Sequence, residues 1–216
     1  MLKAAIIYLQ RSGGNLLART LALSEQTIAY LPQPQHDTQP IQRVSAEDRI
    51  KLYNNWNSKN WVATETEIRI GYHIGSNDFY KYADSDLWLI DSFHPAMFEN
   101  ELDKKVLFDD ANDWEHLIFI KWKESSLDTI IKLAKLKRPD LGHQAQIKHT
   151  ELDIFKKLTA YPGLSIQWED MLEESTYIKS ITELTQKLNL VLNFSLVSQL
   201  WKSWIIETEK ILNERS

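Results

Sequence analysis

The stretch Lys3-Ala4-Ala5-Ile6-Ile7-Tyr8-Leu9-Gln10-Arg11-Ser12-Gly13-Gly14-Asn15-Leu16-Leu17-Ala18-Arg19-Thr20-Leu21 decides how this chain is read. An apolar run short enough for a buried strand meets Arg-Ser-Gly-Gly-Asn, and an apolar-periodic helix follows at once. A strand, a glycine turn and a helix N-terminus together form an anion cradle: backbone N–H groups converge in the turn, and the helix dipole adds positive potential at the same point. Gly13 and Gly14 remove side chains that would block a phosphate or sulfate, and Arg11 adds a mobile positive charge. Ser, Gly and Asn also suit an ordinary strand-to-helix turn, so both readings stand at this point.

What the turn lacks narrows the field. The sequence Gly-x-x-x-x-Gly-Lys-Ser/Thr is absent, so no lysine is provided for β- and γ-phosphates and no hydroxyl for magnesium. A magnesium-dependent kinase or ATPase is thereby disfavoured. The Gly-x-Gly-x-x-Gly dinucleotide fingerprint is absent too.

A chain of 216 residues suffices for one well-buried α/β domain, and the expectation is a single domain over 1–216 with a C-terminal helical segment at about 190–216. Hydrophobic content of 43% and charged content of 25% are ordinary for a globular protein. No apolar run approaches the ~20 residues needed to span a bilayer, and no small-residue cleavage site follows the apolar start. The absence of cysteine excludes disulfides and thiolate chemistry. A cytoplasmic location is the expectation. The net charge of −5 argues against general nucleic-acid affinity. That charge is unevenly spread: residues 84–115 hold ten Asp/Glu against two Lys, whereas 121–148 hold seven Lys/Arg against three Asp/Glu. A basic segment in an acidic protein marks a second candidate anion contact, although charge runs are usually solvated faces.

Strands are predicted at 4–9, 27–30, 87–93, 117–122 and 164–168, each short, apolar and bounded by polar or turn residues. Helices are predicted at 15–23, 46–57, 96–102, 126–136, 150–160, 176–188 and 196–213. Five strands separated by helical crossovers predict an α/β fold: three layers, a mainly parallel sheet, and helices on both faces. Such sheets bind ligands at the C-terminal strand edge, where Arg11-Ser12-Gly13 falls. Residues 31–42, with three prolines and four glutamines, read as a loop. Residues 63–82 read either as an edge strand or as an irregular lid.

The loop Arg11-Ser12-Gly13-Gly14-Asn15-Leu16-Leu17, with Arg19 and Leu21 after it, resembles the R-S-G-T-T-L-L loop that opens sulfotransferase domains. In that family the loop wraps the 5′-phosphosulfate of 3′-phosphoadenosine 5′-phosphosulfate. Two further segments fall in the expected order. Leu117-Ile118-Phe119-Ile120-Lys121, with Thr129 eight residues on, is similar to the family strand ending in Arg and the following Ser that bind the 3′-phosphate. Leu164-Ser165-Ile166-Gln167-Trp168-Glu169-Asp170-Met171-Leu172 resembles the late Y-E-D-L segment. The resemblance runs from the start to about Leu188, with the middle unaligned, and implies Arg11, Ser12, Gly13, Gly14, Asn15, Leu16, Lys121 and Thr129 as donor-binding residues. There are departures. Gly14 and Asn15 replace two threonines, Lys121 replaces an arginine and so offers a point charge rather than a fork, and the family's late arginine-glycine loop has no counterpart.

The resemblance implies sulfuryl transfer from that nucleotide to a hydroxyl or amine acceptor, with no metal. Such a reaction needs a base for the acceptor's proton and cations for the moving group. His94, ahead of Pro95, loosely resembles the family's strand-terminal T-H-x-P and is the candidate base, with Arg11 the candidate stabilising cation. A His before Pro also serves as a turn or capping residue, and Ser92 stands where the family carries lysine. His73, between two glycines, is a second candidate. His143 and His149 near Asp140 and Glu151 fit no metal-ligand spacing, and no nucleophile elbow exists. Trp56, Trp61 and Trp122 suit either the core or stacking on an adenine. The alternative function is a non-catalytic relative that keeps the sheet and cradle for nucleotide or partner binding.

Overall fold

The opening strand β1, Leu2–Ile7, lies inside a four-stranded parallel sheet. A computed structural model of the chain describes residues 2–9, 11–27, 29–30, 40–41, 45–53, 88–93, 115–137 and 149–213. In it, β1 leads through the glycine turn into helix α1, Gly14–Leu21. Next come the two-residue strands β2, Ala29–Tyr30, and β3, Pro40–Ile41, helix α2, Ala46–Tyr53, strand β4, Trp88–Phe93, and strand β5, His116–Lys121. A 3₁₀ turn at Glu124–Ser126 leads into α3, Leu127–Lys137. Helix α4, His149–Leu158, strand β6, Leu164–Gln167, a 3₁₀ turn at Glu169–Leu172, α5, Glu174–Leu188, and α6, Phe194–Asn213, complete the order.

The sheet order is β4-β1-β5-β6, and every pairing is parallel. Ile7 lies opposite Phe93 on one side and Phe119 on the other, while Lys121 lies opposite Gln167. Parallel pairing brings the C-terminal ends of all four strands to one edge, the edge from which the glycine turn leaves.

Consecutive residues from Ala4 to Ile7 are at most 1% exposed, so both faces of β1 are covered. A strand covered on both sides reads as a continuous apolar run, and the Ala-Ala-Ile-Ile segment is one. Helix α1 is buried almost all round, from Leu16 through Leu21, because α6 and β4 both pack on it. Helix α6 places Val197, Leu200, Trp201 and Trp204 in the same apolar core as β1 and β5, and the Trp201 indole donates to the Met171 carbonyl at 2.7 Å.

The predicted strand at 27–30 differs from expectation. Ala29–Tyr30 pairs antiparallel with Pro40–Ile41 in a separate two-stranded ladder rather than joining the main sheet. A two-residue ladder asks little of proline, which has no N–H to give. Helix α6 starts at Phe194, earlier than the predicted 196. Asn193 caps it, its side-chain oxygen accepting from the Ser195 N–H at 3.1 Å. At the end of α5, Asn189 takes φ 52° and lets the Leu190 N–H close on the Thr185 carbonyl at 2.9 Å. The predicted helix at 96–102 and the ambiguous 63–82 stretch lie outside the described residues. Among the described residues no helix is long and apolar enough to cross a membrane.

Candidate functional site

The site is the turn between β1 and α1 together with the ends of its neighbouring strands. Leu9 anchors the turn: its carbonyl accepts from the Ser12 N–H at 3.0 Å and from the Ser12 hydroxyl at 2.8 Å. Closing the chain this tightly places Arg11 at φ 68° and Gly13 at φ 91°. Two left-handed residues within three positions turn the backbone sharply enough to start α1 at Gly14. Gly13 is the residue before the helix, and the Leu17 N–H takes its carbonyl at 3.0 Å. The N–H groups of Gly14, Asn15 and Leu16 head α1, where helix geometry offers them no intrahelical acceptor.

Both glycines are required by packing. A Cβ on Gly13 would meet the Met171 methyl carbon at 2.6 Å and the Trp204 ring at 3.6 Å. A Cβ on Gly14 would run into the Tyr8 ring. Tyr8 is itself buried, and its hydroxyl donates to the Asn15 side-chain oxygen at 3.4 Å. The space that the sequence assigns to an incoming anion is, along these two Cβ directions, filled by the protein's own side chains. Ser12 is wholly buried with both of its donors committed to Leu9, so it shapes the turn from within. Leu16 is wholly buried and belongs to the core. Arg11 and Asn15 are half-buried.

Lys121 ends β5, the immediate neighbour of β1, and so reaches the same edge as Arg11. Its side chain is half-buried, with the ammonium 6.0 Å from the centre of the Phe119 ring two residues back along the strand. A cation at that distance lies within reach of the ring's negative face. Thr129 is half-buried in the first turn of α3. His94 lies outside the described residues; the strand before it ends at Phe93, opposite Ile7. Trp122 tilts against Phe155 of α4 with ring centres 4.6 Å apart, so it packs on that helix. His73, Trp56, Trp61 and His143 are also outside the described residues. Among the described residues, no group of three or more His, Asp or Glu is placed to hold a metal ion.

The sequence marks Trp168, Glu169 and Asp170 only as part of the segment resembling Y-E-D-L and gives them no partners. The carboxylate of Glu169 accepts from the Lys123 N–H at 2.9 Å and from the Ser126 hydroxyl. The Trp168 N–H donates to the Lys121 carbonyl at 2.7 Å. Asp170, one residue on, turns to α5: its carbonyl accepts from the Thr176 hydroxyl at 2.7 Å and its carboxylate from Ser180 at 3.3 Å. The adjacent carboxylates therefore tie the end of β6 to two different elements. Nothing in the Glu-Asp dipeptide alone assigns those partners, which lie at long range in the chain. No family model matches the chain, and neither a curated protein nor a solved structure does.

Proposed function

We propose that the C-terminal edge of the sheet binds a ribonucleotide carrying phosphates at both ends of its ribose, and that the chain transfers a sulfuryl group from 3′-phosphoadenosine 5′-phosphosulfate to a hydroxyl or amine. The supporting observation is the adjacency of β1 and β5 in parallel register, which brings Arg11 and Lys121 to one edge. A two-cation edge suits a ligand with two separated anionic groups. The finer architecture belongs to the same reading: three layers, with helices on both faces of the sheet, which the burial of consecutive β1 residues favours.

In this reading the N–H groups heading α1 and the Arg11 guanidinium hold the 5′-phosphosulfate. Lys121 and Thr129 hold the 3′-phosphate. The acceptor oxygen or nitrogen attacks sulfur, the bond from sulfur to the bridging oxygen of the 5′-phosphate breaks, and the nucleotide leaves as the bisphosphate. The acceptor's proton passes to a base, for which His94 is the candidate. As in phosphoryl transfer, positioning and charge stabilisation do most of the work, and Arg11 supplies positive charge where the leaving oxygen gains negative charge.

A second reading is a binding protein without transfer activity. It is favoured by the packing of Met171, Trp204 and Tyr8 against Gly13 and Gly14, and by the commitment of both Ser12 donors to Leu9. Calorimetric titration with 3′-phosphoadenosine 5′-phosphate, followed by a sulfate-transfer assay over hydroxyl and amine acceptors, separates the two. Binding with transfer supports the enzyme, and binding without transfer supports the second reading. No binding contradicts the enzyme and a nucleotide-binding role, and leaves the second reading only as a protein that binds a partner.

A further inference from the structure

We infer that Glu169 is a positioning residue for the second phosphate: its carboxylate clasps the turn after β5, and this fixes Lys121 and Thr129 relative to the sheet edge. The inference rests on the nucleotide reading above.

The segment from Lys121 to Ser126 has to leave β5, turn through 3₁₀ geometry and enter α3, and it carries few apolar anchors of its own. Lys123, Glu124 and Ser125 are exposed, and no residue of the 3₁₀ turn is buried. Glu169 holds the turn by two of its donors, the Lys123 N–H and the Ser126 hydroxyl, both on the same carboxylate oxygen. The backbone bond from Trp168 to the Lys121 carbonyl adds a third tie from the same dipeptide. Lys121 and Thr129 flank the clasped segment on either side. A phosphate held between them therefore depends on the shape of a turn that Glu169 sets without touching the ligand. Charge-assisted hydrogen bonds are roughly twice as strong as neutral ones, which suits a single carboxylate to this task.

Burial pushes the Glu169 carboxyl up, but the Ser126 hydroxyl and the Lys123 N–H favour its charged form more, and it titrates below the ordinary glutamate range. The clasp is therefore complete at neutral pH and weakens as the pH falls through that lowered value.

The test compares Glu169→Ala, Glu169→Gln and the parent chain in calorimetric titrations with 3′-phosphoadenosine 5′-phosphate and adenosine 5′-phosphate, alongside hydrogen exchange of the backbone amides. In Glu169→Ala the bisphosphate affinity should fall about tenfold while the monophosphate affinity holds, and the Lys123 amide should exchange faster while β5 stays protected. Glu169→Gln, whose amide oxygen still accepts both bonds, should recover most of the discrimination. A simple loss of stability would weaken both nucleotides together, and that result overturns the inference, as does Glu169→Ala binding the bisphosphate like the parent. A parent chain that binds neither nucleotide sinks the nucleotide reading instead. The exchange pattern then still decides the clasp: selective loss of protection at Lys123 in Glu169→Ala supports it, and unchanged protection overturns it.

Discussion

Arg11 sits at φ 68°, in a turn position where glycine has no steric cost and an L side chain costs about 1 kcal/mol or more. An arginine kept in a glycine conformation at the edge of a proposed anion site links strain to function at a single residue. Arg11→Gly should therefore leave the midpoint of thermal unfolding equal to or above that of the parent while weakening bisphosphate binding. A marked fall in the midpoint would show that the Arg11 side chain serves the fold instead. Gly13 gives the opposite expectation. Its φ of 91° and the Met171 methyl carbon at 2.6 Å from a built Cβ make Gly13→Val unfavourable to the fold itself, by on the order of 3 kcal/mol. A denaturant titration of Gly13→Val should show that loss, and unchanged stability would mean that the Met171 side chain moves aside freely. In the sequence, glycine at 13 and 14 reads as room for an anion; in the fold, Met171, Trp204 and Tyr8 occupy the space along the Cβ directions. Met171 and Trp204 arrive from the far end of the chain and leave no trace in local spacing.

Arg49 of α2 shows how one side chain joins elements. It is fully buried, and its guanidinium donates to the carbonyls of Ala22, Ser24 and Thr27 at 2.9, 2.6 and 3.0 Å and to the Thr27 hydroxyl at 2.7 Å. The Ala22 carbonyl lies at the C-terminal end of α1, where the negative end of the helix dipole favours a cation, and the Ser24 and Thr27 carbonyls follow in the turn after it. Arg49→Met keeps much of the volume and removes the donors to the Ala22 and Thr27 carbonyls, whereas the Ser24 carbonyl still accepts from the Thr27 N–H and hydroxyl, so it should destabilise the fold by about 3 kcal/mol. Chemical denaturation reads that difference, and a change below about 0.5 kcal/mol would show that water replaces the guanidinium without penalty. At this scale the strands at 4–9, 87–93, 117–122 and 164–168 were legible to within a few residues. Strands β1 and β5 are continuous buried apolar runs, as parallel strands covered on both faces are, whereas β6 buries Ile166 alone and was legible from its turn-bounded shortness. The segment at 27–30 was legible as extended but not as excluded from the sheet: its partner is Pro40–Ile41, inside a stretch whose prolines read as loop. Helix starts shifted where a cap decided them, as Asn193 does for α6.

Across the whole molecule, the two-point site depends on one topological fact and one charge pair. The order β4-β1-β5-β6 puts the glycine turn and the end of β5 on neighbouring strands at a common edge, and Arg11 and Lys121 come with them. The alternation of strands and helices made the parallel sheet legible, whereas the order of strands within it is a long-range property that no local pattern carries. Lys132, exposed on α3 within the same basic segment, provides the control for a diffuse basic face. The most direct measurement is calorimetric titration of the parent, Lys121→Ala and Lys132→Ala with 3′-phosphoadenosine 5′-phosphate and adenosine 5′-phosphate. A charge-assisted phosphate contact is worth about 1.5–3 kcal/mol, so Lys121→Ala should lose roughly tenfold or more in affinity for the bisphosphate. The same variant should change little toward the monophosphate, and Lys132→Ala should change little toward either. Equal weakening of both nucleotides by both lysine variants would contradict the two-point site and leave the basic segment as a solvated face.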